Sequence, residues 1–259
     1  MNLIDTHSHI YLPEFDEDRD DVVEKAVENK VTKLLMPNID AESILPMLSA
    51  VERYKGICYP MIGIHPLSVK NDFENQLAKM KSLISRHHFV AIGEIGLDFY
   101  RDKTHISEQI SAFRKQLALA LETGLPAVIH IRNAFPEVFR IIDEFKGTGL
   151  NGVFHAFSGG GEEANKACNM GFMLGIGGVV TFKNSSLQNV VRETDPSFLV
   201  LETDSPYLAP EPFRGKRNDS SMLYYINNKL AELLGSTTDE TAEITTQNAI
   251  KLFRLDEPI

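Results

Sequence analysis

Two histidines separated by a single residue, His7 and His9, stand near the start of the chain in Asp5-Thr-His-Ser-His9. On an extended strand, residues two apart face the same way, so both imidazoles can share one cation. Alone, that spacing is more often incidental than functional. It gains weight because further ionisable residues recur at or near the ends of apolar runs: His65, Glu94, His130, His155 and Asp204. An ionisable group in such a run needs a partner. Singly, each has an ordinary explanation: His130 or His155 as a hydrogen-bonded core histidine, Glu94 as the partner of an arginine, Asp204 as the cap of the turn into Ser205-Pro206. Taken together, His7, His9, His130 and His155 with Glu94 and Asp204 have no such explanation. Packed without a cation, the carboxyl groups would have shifted pKa values and the imidazoles would repel one another once protonated. A bound divalent ion resolves that conflict. Imidazole with carboxylate suits Zn²⁺ or Mn²⁺, whereas Mg²⁺ prefers more oxygen.

The chemistry such a site supports is hydrolysis. A bound cation lowers the pKa of its water from about 16 toward about 7, supplying a nucleophile at neutral pH. Asp204 could take the proton from the attacking water, and Glu202, on the same strand face, could serve behind it. His65, in Gly63-Ile-His-Pro66, fits a role toward substrate or transition state better than ligation. Arg214, Lys216 and Arg217 follow the last strand directly and could hold a phosphate, with Arg101 and Lys103 adding to them. His87 and His88 at a helix end, and His105 at a helix start, read as structural.

Positioning these residues requires a regular scaffold, and the chain supplies one. Short apolar runs at 2–9, 31–38, 58–65, 89–98, 127–131, 152–157, 172–176 and 198–204 alternate with amphipathic stretches at 18–29, 41–54, 72–88, 105–123, 134–146, 162–169 and 184–193. Two more amphipathic stretches, 221–235 and 239–253, follow the last run. Gly124-Leu-Pro126 and Gly171 stand where helices should stop. The strand runs are almost continuously apolar, as in a parallel sheet buried on both faces. Such alternation predicts an α/β fold, a (β/α)₈ TIM barrel, regular or distorted, as one hydrolase domain over 1–259. An open doubly wound sheet is the runner-up, but no glycine-rich turn follows the first strand. In a parallel barrel the C-terminal strand ends share one rim, so residues scattered along the chain should meet there.

Composition narrows the class. The chain has 259 residues, 43% hydrophobic and 24% charged, with a formal net charge of −10. That charge argues against tight, non-specific polyanion binding, though not against a phosphate in one cation-bearing pocket. Cys58 and Cys168 match no metal or redox spacing and read as thiols in a reducing compartment. There is no signal-peptide pattern and no apolar stretch long enough to span a membrane, so the expectation is cytoplasmic, with no obligate protein partner and nothing demanding more than a monomer.

The sequence resembles the TatD family of metal-dependent hydrolases and deoxyribonucleases. The matching segments are Asp5-Thr-His-Ser-His9, Gly63-Ile-His-Pro66, Ala91-Ile-Gly-Glu-Ile-Gly-Leu-Asp98, Ile129-His130, Val153-Phe-His-Ala-Phe-Ser-Gly159, Glu202-Thr-Asp-Ser-Pro-Tyr-Leu-Ala-Pro210 and Arg214-Gly-Lys-Arg-Asn218. The resemblance implies two divalent ions, Zn, Mn or Mg. His7, His9 and Asp204 would hold one, His130 and His155 the other, and Glu94 would bridge them. It further implies a phosphodiesterase acting on DNA, single-stranded or at 3′ ends, as a 3′–5′ exonuclease. The alternative is hydrolysis of a small amide, ester or lactone by the same centre. Tyr11, Leu67 and the Ile131-Arg-Asn133 segment depart from the family pattern. They bear on pocket shape and substrate and leave the ligands intact.

Overall fold

The apolar runs become strands in a computed structural model that describes residues 2–101 and 103–256. Met1 and 257–259, the ends of the expected domain, lie outside the described residues. The strands are β1 (Leu3–Asp5), β2 (Val31–Pro37), β3 (Cys58–Ile62), β4 (Ala91–Asp98), β5 (Ala127–Arg132), β6 (Gly152–Phe154), β7 (Phe172–Ile176) and β8 (Leu199–Leu201). Each pairs in parallel with the next along the chain. The seam between β8 and β1 closes just past their ends. Thr6 N–H donates to the Leu201 carbonyl at 3.0 Å, Asp204 N–H donates to that of His7 at 2.9 Å, and Ser8 bridges Ser205 in parallel. This is a nearly closed (β/α)₈ barrel. Its sequential strand order excludes the open doubly wound sheet.

Helices α1 (Arg19–Glu28), α2 (Ile44–Arg53), α3 (Phe73–Ile84), α4 (Ile106–Thr123), α5 (Phe135–Asp143), α6 (Gly161–Asn169) and α7 (Leu187–Glu193) connect successive strands, and α8 (Leu223–Leu234) and α9 (Thr238–Phe253) follow β8. The strands run almost wholly apolar because both of their faces are buried. Adjacent residues separate into two apolar layers: Ile4, Leu35, Met61, Val128 and Val200 fill the barrel, while Leu3, Leu34, Ile62, Ile129 and Leu201 meet the helices. Ala249, Phe253 and Leu255 join the inner layer, so the C-terminal segment plugs the floor. With the interior filled, the rim at the strands' C-terminal ends is where polar groups can gather.

One irregularity shapes that rim. Between Ile92↔Ala127 and Ile95↔Ile129, β4 advances three residues while β5 advances two. The extra residue is a bulge, which re-aims side chains locally. Ile92 and Ile95 both lie in the outer layer, although strict alternation would put residues three apart on opposite faces. Glu94, buried between them, is thereby turned inward, with Gly96 and Asp98 following on its face.

Candidate metal centre

Several site residues lie past the formal strand ends. His7 and His9 follow β1, His65 follows β3, His155 follows β6, and Glu202 and Asp204 follow β8. Glu94 and His130 lie within β4 and β5. Backbone bonds still hold the extensions in barrel geometry: Ser8 N–H to Leu35 O at 3.0 Å, His9 N–H to Ser205 O at 2.8 Å, His155 N–H to Ile129 O at 3.0 Å. Buried Asp5 clamps the seam by accepting from Thr203 N–H at 2.9 Å and Thr203 Oγ1–H at 2.6 Å. Its burial raises its pKa to about 7 despite those bonds.

The expected residues meet in one place. Glu94 is the hub. Its Oε1 lies 2.9 Å from His130 Nδ1, 3.4 Å from His65 Nε2 and 3.7 Å from His155 Nε2. Its Oε2 lies 3.3 Å from His7 Nε2 and 3.9 Å from His9 Nε2. Asp204 Oδ1 closes the cage, 3.6 Å from His9 Nε2 and 3.9 Å from His155 Nε2. His7 and His155 stack with ring centroids 3.4 Å apart. Among the described residues, three groups offer ligand atoms within 4.8 Å of one another: His7, His9 and Glu94; His7, His155 and Asp204; His65, Glu94 and His130.

Hydrogen bonds behind the rings decide which nitrogens face inward with a lone pair. Tyr11 donates its hydroxyl proton to the Pro37 carbonyl at 2.8 Å, so its oxygen accepts from His9 Nδ1–H at 3.2 Å. That leaves His9 Nε2 free to ligate. Glu202 Oε1 lies 3.0 Å from His155 Nδ1, off the line of a hydrogen bond, and favours the proton there too. His65 is the reverse case. Its Nδ1 accepts from Leu67 N–H at 3.1 Å, which puts the ring proton on Nε2, the atom facing Glu94. In that tautomer Nε2 faces Glu94 as a donor rather than as a ligand.

The residues fit a divalent cation. His7 and His9 Nε2 atoms converge to 3.2 Å, and buried His7 Nδ1 and Glu202 Oε2 have no hydrogen-bond partner among the described residues. Converging imidazole and carboxylate donors are the set that borderline ions take. Electrostatics agrees. Burial opposes ionisation of Glu94, but His65, His155 and His7 outweigh it and hold the carboxyl well below its usual range. Burial, with His155 beside it, lowers His7 to about 4. Burial also opposes the charge on His155, yet Glu202 and Glu94 push its pKa up to about 10. Burial opposes the charge on His130 likewise, and Asp98 with Glu94 overcomes it.

Removing the hydroxyl that orients His9 gives a direct check. Tyr11→Phe should weaken divalent-cation affinity roughly 10–100-fold, the usual cost of deleting the hydrogen-bond partner of a ligating imidazole. Competition titration against a chromogenic chelator measures it, and unchanged affinity would remove Tyr11 from this role.

The basic residues divide. Arg217 is committed within the protein: it pairs with Asp18, donates to the Glu14 carbonyl at 2.6 Å and lies over Phe15. Arg214 lies over Phe182 with its guanidinium carbon 4.5 Å from the ring centroid. Arg214, Lys216 and Arg101 are exposed, with no carboxylate within 4.0 Å among the described residues. Asn218 anchors the 214–218 segment, donating to the Thr203 carbonyl at 2.8 Å and the Tyr207 carbonyl at 2.6 Å.

The family pattern described as TatD related DNase matches residues 4–254. The chain belongs to the TatD family. It is 40% identical to the uncharacterized metal-dependent hydrolase YabD of Bacillus subtilis over 98% of this chain and 100% of that protein. It is 33% identical to the 3′-5′ ssDNA/RNA exonuclease TatD of Erwinia billingiae, covering 93% of this chain and 95% of that protein. The crystal structure of YjjV, a TatD homologue from Escherichia coli, superposes with a TM-score of 0.90 at 29% identity, covering 99% and 98% of the two chains. Family membership makes the chain a metal-dependent hydrolase. No helix among the described residues is long and apolar enough to cross a membrane.

The sequence reading of this TatD-family site did not single out Asp98. Its Oδ2 lies 3.2 Å from His130 Nε2, and its Oδ1 accepts from Tyr100 and Arg101 N–H at 2.9 and 2.8 Å. Burial opposes its charge, but His130 and those amides bring its pKa down to about 2. The available signal was spacing: four residues from Glu94 on one strand is the same face.

Proposed function

We propose that this TatD-family hydrolase cleaves phosphodiester bonds of single-stranded nucleic acid, DNA above all, removing nucleotides from the 3′ end. The observation that carries the reading is the place of Glu94, whose Oε2 faces His7 and His9 while its Oε1 faces His130 and His155, with Asp204 lying beside His9 and His155. His7, His9, His130, His155 and Asp204 with Glu94 would hold the two divalent ions of this reading. Two bound ions supply Lewis acidity for a phosphoryl oxygen and an acidified water for in-line attack. The chain's own groups do the rest. Asp204 is held ionised: burial opposes this, but His9 and His155 prevail, so its carboxylate can accept the proton of the attacking water. His65, with its Nε2 3.4 Å from Glu94, would donate from that nitrogen to a substrate oxygen bound at the cage. Glu202 holds His155 in orientation. Arg101, Arg214 and Lys216 stand on the rim for the flanking phosphates, and the exonuclease named among the relatives agrees in substrate class.

The test is cleavage of single-stranded DNA, duplex DNA, RNA and p-nitrophenyl esters with Mg²⁺, Mn²⁺ and Zn²⁺ in turn. Stepwise shortening of a 5′-labelled single strand is expected. Arg214→Ala with Lys216→Ala should weaken binding and lower the slope of log K against log salt by about 0.7 per lost phosphate contact. Ester turnover with every nucleic acid left intact under all three metals would turn the assignment toward small esters.

A further inference from the structure

Two exposed tyrosines bracket the metal cage, one at each end. Tyr207, three residues after Asp204, has its ring centroid 6.5 Å from that of His9. At the opposite end, Asp98 lies 3.2 Å from His130 and accepts the backbone N–H of Tyr100 at 2.9 Å. Contacts thus lead from Tyr207 through His9, Glu94, His130 and Asp98 to the Tyr100 backbone, and the two tyrosines follow β8 and β4, which lie opposite each other in the eight-strand order. Tyr100 is 60% exposed and Tyr207 49% exposed, although neither position needs an aromatic ring to fill the core. The Arg132 guanidinium lies 4.8 Å from the Tyr100 ring centroid, and neither it nor neighbouring Arg101 has a carboxylate within 4.0 Å among the described residues.

We infer that Tyr207 and Tyr100 are stacking platforms for the two bases on either side of the cleaved phosphate. The inference rests on the nuclease reading above and deepens it. A phosphodiester held at the cage sends one nucleoside toward each end, where a ring of either tyrosine meets a base face. Stacking tolerates any base because every base has a π-face, and Arg132 beside the Tyr100 ring complements the backbone charge. Bases must leave the duplex to reach both rings, so the arrangement selects single strands.

The test pairs each tyrosine with the base it would hold. KM and kcat are measured on the Mn²⁺-loaded enzyme with a single-stranded oligonucleotide, and with the same strand carrying an abasic residue on one side or the other of the cleaved phosphate. Tyr100→Ala and Tyr207→Ala should each raise KM roughly 5- to 150-fold, and the Phe variants should restore it. Removing the matching base should cause the same loss, with no further loss when ring and base are both absent. Additive losses, or Ala variants equal to wild type, overturn the platforms while the nuclease reading stands. Failure of the wild-type enzyme to cleave any oligonucleotide removes that reading and the platforms with it.

Discussion

Glu94→Gln should reduce hydrolysis on the order of 10³-fold or more and strip the protein of tightly held divalent cation. Five imidazoles approach this one carboxylate within 4.0 Å. No other carboxylate among the described residues takes its place, since Asp204 reaches only His9 and His155, and Asp98 only His130. The amide keeps the size of the side chain but removes its charge, so the cage loses its central anionic donor. Stabilisation by a bound Lewis acid is worth several kcal/mol, and each ~1.4 kcal/mol is tenfold in rate. The metal-free protein should lose stability too. Removing one partner of a buried charge set costs about 3–5 kcal/mol, an upper figure here because the imidazoles can shed their protons instead. Metal content after gel filtration, kcat/KM with added Mn²⁺ and melting curves with and without chelator separate the effects. A variant that keeps stoichiometric metal and turns over within tenfold of wild type would sink the hub role.

How much of this centre was legible in the sequence follows from how local each cause is. His7 and His9 could be paired on spacing because strand periodicity is local. The apolar runs announced the strands, and their alternation with helices announced the barrel; strict alternation missed the β4 bulge, which depends on register against β5, and the shift between β1 and β2. Expected strands ran past the formal ends at 5, 62, 154 and 201 because the rim segments keep single ladder bonds without full pairing. Causes that lie across the fold were not legible. Tyr11 looked like a departure from a pattern until its hydroxyl was seen to link His9 with the Pro37 carbonyl one strand away. Arg217 read as part of a basic loop because its partner Asp18 is 199 residues distant. His65 was set apart from the ligands on position alone, and the bond from Leu67 N–H to its Nδ1 was not foreseen.

The register of β4 against β5 carries the second large effect. Gly96 sits opposite His130 at φ +140°, in the region that disfavours side chains. A Cβ built there would fall 2.0 Å from the His130 carbonyl oxygen, 2.9 Å from its carbonyl carbon and 3.0 Å from its nitrogen. These are backbone atoms of a ladder residue and cannot rotate away, so Gly96→Ala must push β5 off β4. Backbone strain costs about 1–3 kcal/mol and overpacking about 1–3 kcal/mol more. At roughly 2–4 °C per kcal/mol in a chain of this size, the melting temperature should drop by about 10 °C. The displacement moves His130 away from Glu94 and Asp98, so cation affinity should fall with stability. Gly147→Ala is the matched control: its φ is +78°, yet nothing lies within 4 Å of the added carbon, which isolates strain from collision. If the two variants melt together and bind metal equally well, the close approach of β4 to β5 is not what seats His130 against Glu94.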